Sequence, residues 1–252
     1  PTCTVDLGLR WEYYTPLVGI ADQGGLSNYD TSNSTVEVAG YGSVPQSIGV
    51  KSTWTNFAPR LGLSYRFDEK TVLRAGFGTT IVPFPDNRYA YNFPVKQTNQ
   101  FNAPNSFAPA STMAAGFGEP AFFPIPDSGI VDASIPQLRN SQLFSVPSDL
   151  KEAKLHSWNV AFQRQLPWNV VGEVAYVGNV GKGIILPDYN INAGQTPGLD
   201  RAGQPYNVLY GRTAEVRSWL ATDTNYHSLQ AKLDRRFKNG FLVTTSYTLA
   251  RA

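Results

Sequence analysis

Asn56-Phe57-Ala58-Pro59-Arg60-Leu61-Gly62-Leu63-Ser64-Tyr65-Arg66-Phe67, Asp68-Glu69-Lys70 and Thr71-Val72-Leu73-Arg74-Ala75-Gly76-Phe77-Gly78 follow one another without a break. In the first run Phe57, Pro59, Leu61, Leu63, Tyr65 and Phe67 alternate with Ala58, Arg60, Gly62, Ser64 and Arg66. In the second, Leu73, Ala75 and Phe77 alternate with Arg74, Gly76 and Gly78. A period of two is the signature of a strand with two unlike faces. Three polar residues between two such runs make a tight hairpin. The local unit is an antiparallel strand pair.

The same alternation recurs outward from this hairpin, predicting seven strands at about 4–14, 57–67, 71–82, 155–166, 168–178, 225–237 and 240–250. Their connections fall into two classes. Asp68-Glu69-Lys70, Gln165-Leu166-Pro167-Trp168-Asn169 and Lys238-Asn239-Gly240 are short, the last carrying the Asn-Gly pair that supplies positive φ for a turn. The segments 15–56, 83–154 and 179–224 are long. Short and long alternate strictly, so the short turns lie at one end of the sheet and the long loops at the other. Ten of the 18 prolines fall between Pro83 and Pro147, together with Phe84, Phe93, Phe101, Phe107, Phe117, Phe122 and Phe123. So many aromatics can bury area, and this loop is expected to pack as a cap with short local structure.

Composition narrows the class further. The 252 residues include 22 Gly and 18 Pro, too many breakers for a long-helical protein. Lys+Arg (21) and Asp+Glu (19) nearly cancel, which gives no reason to expect nucleic acid. The lone Cys3 excludes a disulfide framework, and two distant histidines, His156 and His227, do not make a zinc cluster. No stretch has the 18 or so consecutive apolar residues of a transmembrane helix. Both ends interrupt a strand pattern, so the chain is expected to be an interior piece of a larger sheet.

A soluble β-sandwich also alternates apolar and polar residues. Three features favour a transmembrane barrel. The strands are long: at about 3.3 Å per residue and a tilt near 45°, ten residues span roughly 23 Å, close to the apolar band of an outer-membrane barrel. Their apolar face is tipped by aromatics such as Trp11, Tyr13, Tyr65, Phe67, Trp168, Tyr176, Phe237 and Tyr247, which suit a membrane–water interface. Short turns at one end and long loops at the other match periplasmic turns and external loops. The fold class is therefore all-β, an up-and-down antiparallel sheet forming part of a barrel in the outer membrane of a Gram-negative bacterium. On that reading Arg10, Glu12, Arg60, Arg66, Arg74, Glu173, Gln230, Lys232, Asp234 and Arg236 face the lumen. An Arg or Lys facing lipid at the midplane would cost roughly 2–4 kcal/mol.

Taken in order, several segments carry a resemblance. They include Leu7-Gly8-Leu9-Arg10-Trp11-Glu12-Tyr13-Tyr14-Thr15-Pro16, the hairpin quoted above, Trp158-Asn159-Val160-Ala161-Phe162-Gln163-Arg164-Gln165-Leu166-Pro167, Glu173-Val174-Ala175-Tyr176-Val177-Gly178 and Asn225-Tyr226-His227-Ser228-Leu229-Gln230-Ala231-Lys232-Leu233-Asp234-Arg235-Arg236-Phe237. Together they resemble the barrel region of TonB-dependent-receptor-like outer-membrane proteins, in particular the Oar-like group with an N-terminal carboxypeptidase-regulatory-like domain. The resemblance covers all seven strands and none of the long loops. It implies a barrel of about 22 strands with a plug, ligand uptake, and energy supplied through TonB. The chain itself shows no plug and no TonB-contacting segment. The rest of the barrel, the plug, membrane lipid and an unidentified ligand are the implied partners.

No catalytic constellation, metal set or cofactor motif is present in the sequence. Gly178-Asn179-Val180-Gly181-Lys182-Gly183 lacks the spacing and following helix of a phosphate loop. Asp22, Asp30, Ser32 and Asn33 lack EF-hand spacing and read as a polar loop. A competing function is a soluble or surface β-protein that binds glycans through the loop aromatics Trp54, Tyr210 and Trp219; a structural or assembly role is a third.

Overall fold

A computed structural model describes residues 2–85, 91–97, 101–118, 122–238 and 240–252. In chain order the elements are β1 (Cys3–Trp11), β2 (Ser27–Asp30), β3 (Thr35–Val38), β4 (Phe57–Asp68), β5 (Thr71–Val82), β6 (Ile130–Asp132), α1 (Pro136–Arg139), β7 (Leu143–Ser145), β8 (Ala153–Leu166), β9 (Val170–Asn190), α2 (Pro205–Tyr210), β10 (Val216–Lys238) and β11 (Phe241–Arg251). Seven long strands form one antiparallel sheet in the order β1-β4-β5-β8-β9-β10-β11, with short β7 added parallel to the upper end of β10. β2, β3 and β6 make a second, small sheet.

Antiparallel register keeps directly paired residues on one face. One face of the large sheet carries rows such as Leu7–Leu61–Phe77–Trp158 and Val5–Leu63–Ala75–Val160–Tyr176–Leu229. These side chains are unburied within the chain: Leu7 is 80% exposed and Leu9 70%. The sheet thus presents an apolar surface that no second layer of the described residues covers, unlike a sandwich. Trp158 lies across Gly178, whose missing Cβ would fall 2.8 Å from the indole ring. Only a glycine lets that ring lie flat on the sheet.

Two strands run further than the alternation suggested. The expected loop 179–224 is ladder as far as Asn190 and again from Val216, leaving only 191–215 as the connection. Glycines at 178, 181 and 183 gave this stretch the look of a loop. Gly178 makes room for Trp158, a Cβ on Gly181 would fall 2.5 Å from Thr224 Oγ1, and Gly183 has φ +68° close to a register shift. The β8–β9 turn also differs. Trp168 and Asn169 take positive φ of 60° and 58°, so β9 begins at Val170 rather than at residue 168. β1 stops at Trp11 rather than Tyr14, and the rings of Trp11, Tyr13 and Trp54 stack beside its end. The expected Asn-Gly turn involves Asn239, which lies outside the described residues; Gly240 has φ +78°.

The apolar core lies in the loops. One cluster joins Leu26, Ala39, Ile48, Val50, Val146 and Trp219; another joins Tyr29, Val36, Val131, Ala133, Leu138, Leu143 and Val216. Both join segments 15–56 and 83–154 to the upper end of β10, with Ile191 and Tyr206 of 191–215 packed against the second, so these segments form one cap at the end of the sheet opposite the tight turns.

Candidate functional site

The wall below the cap sorts its charges by register. Arg60 pairs with Gly8 and Gly78, Arg10 with Ala58, Arg66 with Val72, and Arg74 with Ser64 and Ala161. Glu173 stands opposite Lys232, with Gln230 and Asp234 two residues to either side on β10. All eight therefore share the face opposite the apolar rows. Glycines across from Arg60 leave room for its long side chain. Arg74 Nη1 donates to Gln163 Oε1 at 2.8 Å, and Thr244 Oγ1 donates to Asp234 Oδ1 at 2.6 Å. Glu12, just past β1, pairs with Arg10 at 2.8 Å. The Arg236 side chain lies outside the described residues.

Above the wall, buried asparagines tie the cap together. Asn92 receives the Phe144 N–H on Oδ1 at 2.7 Å and donates through Nδ2 to the carbonyls of Phe144 (2.8 Å) and Ser27 (3.1 Å). Its own N–H donates to Ser27 Oγ at 2.6 Å. Asn28 binds Val146 through both ends of its amide, at 2.7 and 3.1 Å. Asn192 donates to the carbonyls of Arg212 and Ala214 and accepts from the Tyr206 N–H. Each amide imitates a peptide group and satisfies loop backbone that would otherwise be buried unpaired. Arg212 is also buried, and donates to the carbonyls of Ser141, Leu138 and Ala133 at 2.8, 2.8 and 3.0 Å. Burial is what holds its pKa below the usual arginine value.

Beside Asn92 the cap holds a cavity of about 630 Å³. Its walls include Tyr91, Phe93, Phe122, Phe123, Gln142 and Lys96. Phe93 and Phe123 lie with ring centroids 5.0 Å apart. Gln97 fixes this wall, accepting the Phe123 N–H at 2.9 Å and donating to the carbonyls of Pro94 and Phe123. On the opposite wall Gln142 Nε2 donates to Glu215 Oε2 at 2.5 Å, and Arg217 Nη2 holds the same oxygen at 2.8 Å. Arg217, and then Gln142, hold the Glu215 carboxyl below the usual glutamate range. Among the described residues its wall offers aromatic faces, side-chain amides and Lys96, which suit a ligand with apolar faces and hydrogen-bonding groups.

The three loop aromatics chosen from sequence do not converge. Trp54 packs against Tyr13 beside the rim, with centroids 4.3 Å apart and the rings tilted by 32°. Tyr210 donates to the Ser32 carbonyl at 2.6 Å and lines a separate hollow with Arg139 and Asp132. Trp219 is 4% exposed and belongs to the cap core, so it is a packing residue rather than a ligand contact. Its position on the extended β10, inside what read as a loop, explains the difference. The Asp30 carboxylate accepts from Ser32 N, Ser32 Oγ and Asn33 Nδ2 at 2.6–2.8 Å, as a turn carboxylate does. Sequence reading missed the asparagines and Arg212, because an isolated polar residue in a long loop carries no periodicity. Phe93, Phe122 and Phe123 were visible only as part of an aromatic-rich composition. Among the described residues no group of three or more His, Cys, Asp or Glu side chains gathers for a metal.

The model of the outer membrane beta barrel domain family matches residues 1–252. The chain belongs to this family. It is an outer-membrane barrel domain rather than an enzyme, and its apolar face is the membrane-facing one by chemistry. Similar solved structures are the siderophore receptor PirA from Pseudomonas aeruginosa (11% identity, 86% of this chain and 30% of that one, TM-score 0.39) and the Serratia marcescens hemophore receptor HasR, a double mutant in complex with HasA and heme (15%, 99% and 32%, TM-score 0.48). The FrpB iron transporter from Neisseria meningitidis is a third (12%, 100% and 24%, TM-score 0.41). The chain spans about a quarter to a third of the length of each. No curated protein sequence matches it.

Proposed function

We propose that the barrel domain forms the wall and part of the external mouth of a TonB-dependent-receptor-like protein of the Oar-like type, and takes part in ligand binding or uptake. The cap cavity carries this reading: it sits at the long-loop end, which is external in outer-membrane barrels, and its cap is anchored on the same strands that carry the charged face. That face, with Arg60, Arg74, Glu173 and Lys232, lines the lumen. The remaining barrel strands, the plug and the TonB system act through parts of the protein outside this chain. Among the described residues the cavity wall is mostly aromatic and amide, which favours a neutral ligand with apolar faces, such as an oligosaccharide.

Calorimetric titration of the detergent-solubilised full-length protein with maltoheptaose, cellohexaose and a ferric hydroxamate tests this. Saturable binding of an oligosaccharide, weakened at least tenfold by Phe123→Ala or Gln142→Ala and unchanged by Trp54→Ala, is expected. Binding of no probe, or binding indifferent to both cavity substitutions, overturns the reading.

A further inference from the structure

Charge interrupts the membrane-facing side of the sheet near the tight turns. Arg164 pairs with Gly172, which in turn pairs with Leu233. Arg235 lies one row lower, paired with Val170 and Val243. Both arginines therefore share the face of Val160, Phe162 and Leu229, which meets lipid. Among the described residues neither guanidinium has an ion-pair partner. The Arg235 guanidinium carbon lies 5.0 Å from the centroid of the Phe241 ring. Asp68, at the end of β4, is close enough to interact with the Arg164 charge. Its oxygens are taken by the Lys70 N–H at 2.7 Å and the Thr71 hydroxyl at 3.1 Å.

Register fixes the depth of the two arginines. The row Val5–Leu63–Ala75–Val160–Tyr176–Leu229–Leu249 starts at the lower end of the apolar run of β1 and finishes at the upper end of that of β11. Rows therefore climb through the membrane toward β11, as strands tilted by about 35–45° require. Arg235 stands two strands nearer β11 than Arg164 and one row nearer the turns. At about 4.8 Å per strand and 3.3 Å per residue that offset has a slope of about 35°, which cancels the climb. The two arginines share one depth. On β8, Lys154 and Arg164 bracket His156, Trp158, Val160 and Phe162 on this face. The ten residues between them rise roughly 23–27 Å at that tilt, matching an apolar band of about 25 Å. Lys154 thus marks the external boundary of the hydrocarbon and Arg164 the periplasmic one. Trp168, 84% exposed in the turn below Arg164, suits the same interface.

We propose that Arg164 and Arg235 hold the phosphate head of an anionic phospholipid in the periplasmic leaflet. A guanidinium meets phosphate with two parallel N–H···O bonds. The offset above sets the two Cα atoms about 12 Å apart, within reach of two arginine side chains closing on one head. Between them Gly172 offers no side chain, and a Cβ there would come 3.4 Å from Leu166 Cδ1 and 3.5 Å from Leu233 Cδ2. The floor of the site is thus low and apolar, as an acyl chain needs. Two cations repel the ammonium of a zwitterionic head, so an anionic head is preferred. The external lysines of the same face are occupied within the protein: Lys154 Nζ donates to the Thr55 carbonyl at 2.9 Å, and Lys182 pairs with Asp223 at 2.6 Å. Charge left for lipid therefore lies at the periplasmic boundary.

Native mass spectrometry of the full-length protein, delipidated in detergent and titrated with one lipid at a time, reads the site. The first phosphatidylglycerol is expected to bind at least fivefold more tightly than the first phosphatidylethanolamine. Arg164→Gln combined with Arg235→Gln removes this preference, and each substitution alone weakens phosphatidylglycerol at least twofold. Lys154→Gln, at the external end of the same strand, leaves it within twofold. If the double variant does not fold, the two single variants carry the measurement. The proposal is overturned if the arginine variants bind phosphatidylglycerol like the parent, since the guanidiniums then meet only interfacial water. It is equally overturned if the parent retains both lipids alike, or if Lys154→Gln is the variant that loses phosphatidylglycerol, which puts the site at the external boundary.

Discussion

The guanidinium carbon of Arg212 lies 5.6 Å from the centroid of the Tyr29 ring, joining the chain just ahead of β10 to the first external segment. The same side chain closes three carbonyls of the middle segment. One residue thus connects all three long connections. Arg212→Ala takes the side-chain donor from the buried Ser141 and Ala133 carbonyls, while the Leu138 carbonyl keeps the Ser141 N–H and hydroxyl, at a cost of about 2 kcal/mol or more. Arg212→Lys recovers little, because an ammonium cannot reproduce the planar fork. Hydrogen exchange of the full-length protein checks this: amides of β2, β3 and β6 lose protection while those of β4 and β5 keep theirs.

Asn92 makes a parallel case. Asn92→Ala removes both donors and the acceptor that hold Ser27 and Phe144. A loss of about 2–4 kcal/mol is expected from the groups left unsatisfied. Asn92→Asp is no better, because it sets a carboxylate oxygen against two carbonyls. Limited proteolysis within 91–97 reports the opening.

On the membrane face, Gly178→Ala drives a methyl group into the Trp158 indole. The ring must leave the sheet surface, at about 1–3 kcal/mol. Denaturant unfolding from lipid vesicles measures this, and Trp158 emission shifts to the red. Trp158→Leu combined with Gly178→Ala restores part of the stability, because the clash is gone.

Glu215 gives the cavity wall a pH dependence. Its carboxyl is held low in the folded protein, by Arg217 first and then by Gln142. The contribution is therefore present above the ordinary glutamate pKa and is lost as pH falls through the lowered value. Order at Gln142 is expected to be constant from neutral pH down to the ordinary glutamate range and to fall only below it. In Glu215→Gln the transition vanishes. Side-chain amide NMR signals of Gln142 follow it.

The wall was legible from sequence because lipid on one side and water on the other impose a period of two over ten residues. Leu61, Leu63 and Tyr65 on one face, and Arg60 and Arg66 on the other, already say which faces belong together. The cap was legible only as packed loop. β2, β3, β6 and β7 are three or four residues long, too short for periodicity, and their order depends on amides such as Asn28 and Asn92 that look like ordinary loop residues. Gly178 and Gly181 misled in the other direction. Glycines usually mark turns, yet in β9 they make room for a tryptophan and a threonine from neighbouring strands.

The location of the buried clusters has a consequence for biogenesis. Tyr29, Val36, Leu138 and Val216 are shielded by protein alone, whereas Leu7, Leu9 and Trp11 find cover only in a bilayer. One polypeptide thus obeys two solvents. In the aqueous periplasm the cap can condense with the upper end of β10 alone, while every second residue of the wall below stays adhesive. Insertion then resembles the docking of a prefolded head followed by wetting of its skirt with lipid.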